Sequence, residues 1–139
     1  VRKPFEQELH DLYDAPAKEA VKSFLERTCD VGVTPNGDQY GVDLIIIRNG
    51  EVIGYAEVEV RQWTPHCPFA TIHIPQRKEK YFNDRTLFFA LTKDMRTAYW
   101  IETNKITKHP LVEVRNYKVE NGEMFFDVPI KEFQQVSLV

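Results

Sequence analysis

The chain is poor in cysteine and glycine, with two and six of them in 139 residues, and it has no segment approaching the ~20 apolar residues that a membrane span needs. Two thiols, Cys29 and Cys67, cannot build a disulfide framework. They read as free, buried cysteines of a protein kept in a reducing interior. No signal-peptide pattern opens the chain, so the expected location is the cytoplasm. There is no Gly-rich phosphate loop, no Ser- or Cys-centred nucleophile motif, no internal repeat and no low-complexity run. These absences exclude the common nucleotide-binding and covalent-catalysis classes. His66, Cys67 and His73 match no zinc spacing. Positive charge is also short, with a formal net charge of −3, which argues against a protein that coats nucleic acid by electrostatics alone.

What is present is ordinary for a folded unit: 42% hydrophobic residues, enough for one core in one domain spanning 1–139. A helix-rich start is expected. Phe5, Leu9 and Leu12 form a stripe over a short helix from Pro4 to Tyr13. Ala17, Ala20, Val21, Phe24, Leu25 and Thr28 form another from about Ala15 to Arg27, capped by Asp14. Glu6 and His10 would join the second stripe only if Pro16 left the phase intact. Cys29 to Val33 reads as a first strand, closed by the turn Thr34 to Asp38.

The informative segment follows. Val42 to Arg48 is an apolar run opened by Asp43, and Glu51 to Arg61 alternates, with Tyr55, Glu57, Glu59 and Arg61 on one face and Ala56, Val58 and Val60 on the other. A buried unpaired carboxylate costs several kcal/mol, so something must compensate Asp43 and the two glutamates. Register decides whether they meet. A two-residue Asn49-Gly50 turn pairs Asp43 with Ala56 and separates them. A three-residue loop, Arg48-Asn49-Gly50, pairs Ile47 with Glu51 and Asp43 with Tyr55, and gathers them. The three-residue loop is the expectation.

Beyond the motif lie a Pro-containing loop from Trp63 to Pro68, an extended segment Ala70 to Ile74, and a short helix from Pro75 to about Asn83 whose Gln76-Arg77-Lys78-Glu79-Lys80 is the most basic stretch. Thr86 to Leu91 and Thr97 to Glu102 read as strands around a tight Lys93-Asp94-Met95-Arg96 connection. Leu111 to Val119 and Met124 to Val128 read as a hairpin turning at Glu120 to Glu123. Ile130 and Phe133 follow at loose helical spacing, and these last elements are expected to extend the sheet and shield its edge.

Asp43, Glu57 and Glu59, in this order of elements from roughly Phe5 to Thr103, resemble the PD-(D/E)XK nuclease superfamily. The resemblance implies an α/β (α+β) fold with a restriction-endonuclease-like core, a central mixed β-sheet flanked by helices. In that family an Asp heading the second strand and an acidic residue on the third bind Mg²⁺, and a Lys two residues on helps to activate water. Asp43 and Glu57 take the acidic positions, and Glu59 stands where the Lys belongs. Some restriction endonucleases of the superfamily carry Glu-x-Glu there. The other alignment, Glu59-x-Arg61, puts a permanently protonated Arg in the Lys position.

The resemblance implies a Mg²⁺-dependent endonuclease acting on DNA, with Mn²⁺ as a substitute. Asp43, Glu57 and the Val58 carbonyl would be ligands; Asp43, Glu57, Glu59 and Lys78 would be catalytic, with Lys78 or Gln76 replacing the lost strand Lys. Arg61, Gln76, Arg77, Lys80 and Trp63 would contact substrate. A second copy of the chain is a candidate partner, a membrane is not, and so compact a nuclease suits a phage or mobile element. The alternative is a non-catalytic nucleic-acid-binding or protein-interaction module on the same fold, with Glu57, Glu59 and Arg61 as an ion-pair ladder. A third reading, an unrelated α+β binding domain, requires the carboxylates to face solvent.

Overall fold

The computed structural model describes residues 4–38, 41–116 and 119–139, and side chains at 13–38, 41–114 and 122–139. Helix α1 (Pro4–Cys29) leads, followed by β1 (Gly32–Pro35), β2 (Leu44–Arg48), β3 (Glu51–Val60), β4 (Thr71–Pro75), β5 (Thr86–Leu91), β6 (Thr97–Glu102), β7 (Leu111–Asn116), β8 (Val119–Pro129) and β9 (Gln134–Ser137). The central sheet is mixed, in the order β1-β2-β3-β5-β6-β9, with β3 and β5 parallel and its other neighbours antiparallel.

One face of that sheet lies under α1. Ala17, Val21 and Leu25 recur at helical spacing and bury against Leu44, Ala56, Phe89 and Leu91. The expected break at Asp14 is absent: the helix runs through Pro16, and Asp14 binds Lys18 one turn on, at 3.0 Å, instead of capping. Proline removes one helical hydrogen bond, and the buried stripe beyond it holds the axis. The side chains of Glu6 and His10 lie outside the described residues. The helix stops where Asp30 turns left-handed at φ 52°, and Arg48 donates to the Cys29 carbonyl at 2.7 Å. The helix therefore takes Cys29, and the first strand begins three residues later than expected. Cys29 is exposed rather than buried.

The other face carries a second sheet, β4-β8-β7, over a core of Ile72, Ile74, Phe88, Tyr99, Ile101 and Phe126, together with short 3₁₀ helices. The expected helix from Pro75 to Asn83 is one of these, a six-residue 3₁₀ helix at Gln76–Tyr81. Its sequence offers no apolar stripe to sustain an α-helix. Strands β7 and β8 do not extend the central sheet, because β8 pairs with β4. The edge is extended by β9 instead. Glu120 to Glu123 lies within β8, where Asn116 pairs with Val119. Residues 130–132 make a 3₁₀ turn rather than a longer helix.

The β2–β3 hairpin corrects the expected register. Asn49 and Gly50, both left-handed at φ 53° and 78°, make a two-residue turn that pairs Arg48 with Glu51. The extra residue sits in the strand: Ile47 pairs with Val52 but Ile46 with Gly54, leaving Ile53 as a bulge. Past it the pairing is Leu44 with Ala56, so Asp43 falls opposite Glu57. The bulge restores the parity that the three-residue loop was meant to supply, two residues further along β3. Gly54 is the local cause, since a Cβ there would meet the Arg85 carbonyl at 2.8 Å.

Candidate metal centre

Strand β2 ends one residue short of Asp43, so the edge of β3 beyond Ala56 has no strand to pair with. Side chains take over. The Val58 N–H donates to Asp43 Oδ2 at 2.8 Å, and the Asp43 N–H donates to Glu57 Oε2 at 3.0 Å. Each acid thus has one oxygen fixed by backbone and one turned elsewhere. Glu57 Oε1 faces Lys78 Nζ at 3.4 Å, from the 3₁₀ helix over the second face. Asp43 Oδ1 faces Lys18 Nζ at 3.7 Å, from α1. A strand residue presents its N–H and C=O to the same edge. The Val58 carbonyl therefore lies on the edge that Asp43 closes.

Glu57 is 1% exposed. Burial, with the Asp43 carboxyl in hydrogen-bonding reach, pushes its pKa up to about 8, and Lys78 only partly opposes this. Near neutral pH burial and mutual repulsion therefore keep a proton on the pair. Lys18 is held above its ordinary range: burial works against its charge, and Asp14 with Asp43 outweighs that.

Glu59 does not join them, although it shares their face. Its Oε1 lies 3.1 Å from Arg61 Nε, and Arg61 also donates to the His73 carbonyl at 2.6 Å. Among the described residues no group of three acidic, His or Cys side chains could hold a metal ion. Instead of the expected three carboxylates together, Asp43 and Glu57 form a pair and Glu59 is turned to Arg61. Its guanidinium is committed to protein as well.

Lys78, a candidate to replace the lost strand Lys, lies 3.4 Å from Glu57 Oε1. Gln76, Arg77 and Lys80 are exposed along the same 3₁₀ helix; Arg77 pairs with Glu123 at 3.2 Å, and Lys80 lies over the Tyr81 ring. Trp63 is half-buried. It packs edge-on against Tyr99, with ring centroids 5.6 Å apart, and walls a cavity of about 200 Å³ with Arg61, Phe69 and His73. His73 pairs with Asp127 at 3.1 Å, away from Cys67. Lys18 is the charged neighbour that sequence reasoning missed. Its spacing marks only the solvated side of an amphipathic helix, and the Asp14–Lys18 interval was the one available signal.

No protein-family description matches this chain, and no curated protein does at a significant level. A solved structure does: a bacterial homing endonuclease, 16% identical, aligned over 79% of this chain and 80% of its own with a TM-score of 0.50. At that identity the likeness is one of fold. The fold is thus a nuclease-like α+β arrangement around a mixed sheet. Among the described residues no helix is long and apolar enough to cross a membrane.

Proposed function

We propose that this chain is a divalent-metal-dependent nuclease of PD-(D/E)XK type that hydrolyses phosphodiester bonds in DNA. The observation that carries the reading is the acid pair: two carboxyls pressed together at a sheet edge, one buried and pushed towards its protonated form by burial and by the other, with Lys78 on its free oxygen. The homing endonuclease with a similar fold supports the substrate class.

The donor set fits the ion. Asp43 Oδ1, Glu57 Oε1 and the Val58 carbonyl are hard oxygens of the kind Mg²⁺ or Mn²⁺ takes, with water completing the shell. A divalent ion there supplies Lewis-acid polarisation of the phosphoryl oxygen and a water of lowered pKa. The chain's own groups do the rest. The two backbone N–H groups hold Asp43 and Glu57 in register, so the free oxygens need not reorganise. Lys78 neutralises charge developing on the phosphoryl oxygens. Gln76, Arg77 and Lys80, exposed beside it, position the flanking phosphates. Glu59 and Arg61 neutralise one another at the rim.

A second reading has a specific observation in its favour. Both free oxygens already face ammonium groups, as they would in a non-catalytic module on this fold. Calorimetric titration with Mg²⁺ and Mn²⁺, run beside nicking assays on single-stranded, duplex and branched DNA, separates the two. The nuclease binds an ion with measurable heat and cleaves, and Asp43→Asn abolishes both while keeping its fold. Heat-silent titrations and intact DNA from verified folded protein identify the module.

A further inference from the structure

Lys18 sits between two carboxylates. Its Nζ is 3.0 Å from Asp14 Oδ2, one helical turn back, and 3.7 Å from Asp43 Oδ1. Asp43 Oδ1 is the oxygen that the backbone leaves free, since Val58 holds the other. An ammonium at this point would compete with a divalent ion for that oxygen. All three side chains are partly exposed, at 27%, 34% and 21%, so solvent and ions reach the contact.

We infer that Lys18 is a built-in competitor for the metal, a tethered cation that neutralises Asp43 in the ion-free protein and is displaced onto Asp14 when the ion binds. The inference rests on the metal reading above. The geometry makes the exchange cheap. Asp14 lies at i,i+4 spacing, already in the shorter of the two contacts, so Lys18 keeps an ion pair when it leaves Asp43. Lys78 has no such alternative, for among the described residues its partner is Glu57. The two ammonium groups therefore have different roles. Lys78 stays with the acid pair, and Lys18 is the mobile one, a positioning residue that sets how tightly the ion is held.

The test is Mn²⁺ affinity by calorimetry, with melting temperatures confirming the fold. Lys18→Met should bind Mn²⁺ roughly threefold to tenfold more tightly than wild type, the scale of one partly exposed ion pair. Asp14→Asn removes the second berth and should weaken binding by about the same factor. Lys22→Met removes a positive charge one turn further on, where Lys22 serves Glu26 and the Val33 carbonyl. It controls for the general field. At about 0.5 M NaCl long-range effects are screened, so the Lys18→Met gain should persist there and any Lys22→Met gain should vanish. Equal affinities for wild type and Lys18→Met, or a gain matched by Lys22→Met at high salt, overturn the inference and leave the metal site standing. No Mn²⁺ binding by wild type or any variant overturns both.

Discussion

Glu57 and Glu59 stand on one face of one strand, about 7 Å apart along it, and their surroundings differ in kind. Glu57 faces another acid and the end of a lysine; Glu59 faces the arginine two residues on. A guanidinium keeps its charge at every accessible pH and is here anchored to the His73 carbonyl, so Glu59 is neutralised for good. The acid pair keeps a proton near neutral pH, because burial and repulsion disfavour ionising both carboxyls, and the cations it faces are ammonium groups rather than a guanidinium. A carboxylate's use to a metal is set by which cation the chain has already given it.

The largest test of this difference is catalytic. Glu57→Gln, which keeps an acceptor for the Asp43 N–H, should lower Mg²⁺-dependent cleavage by roughly 10³-fold, about 4 kcal/mol of transition-state stabilisation. Glu59→Gln should change it by less than about threefold. Single-turnover cleavage by folded protein measures both, and equal losses would erase the distinction.

A stability effect comes next. Glu57 titrates near 8 in the folded protein and near 4.5 when unfolded. Between those values the native state holds a proton that the unfolded chain has released, so stability is full below about pH 4.5 and falls as pH rises towards 8. The metal-free melting temperature should drop across that window, by the equivalent of a few kcal/mol. Glu57→Gln should flatten the profile. A wild-type melting temperature that rises from pH 5 to 8 would contradict this.

The smallest effect concerns Lys78. Lys78→Ala should cost about 10²-fold in cleavage, less than loss of a ligand, because the bound ion still shares the developing charge. DNA binding in Ca²⁺ should be retained. A loss as large as that of Glu57→Gln would make Lys78 as central as the ligand it touches.

Strands that are apolar and bounded by tight turns were legible from sequence: β5 and β6 fall where the runs Thr86 to Leu91 and Thr97 to Glu102 place them. So was the meeting of Asp43 with Glu57, but through the wrong device. Loop length is not the only determinant of register, and a bulge at Ile53 changes it without touching the loop. Gly54, the glycine inside β3, was its local mark. The fate of Glu59 was harder to read, because i,i+2 neighbours on a strand share a face whether they coordinate an ion together or neutralise each other. Lys18 was beyond reach, since it meets Asp43 only after α1 is laid across the sheet. The second sheet was missed for a similar reason: local pattern marks β7 and β8 as strands without saying which edge they join.

The closure of the β3 edge by Asp43 and Glu57 also bears on how such a chain would diverge. Both acids replace missing strand pairing, accepting the backbone N–H groups of Val58 and Asp43, so losing either would open the seam between β2 and β3. A chain on this fold without any cleavage activity would keep them for architecture alone. Lys78, set against the buried Glu57 carboxyl, would be kept with them. Among relatives of this protein, retention of the acids is therefore no mark of a working enzyme by itself.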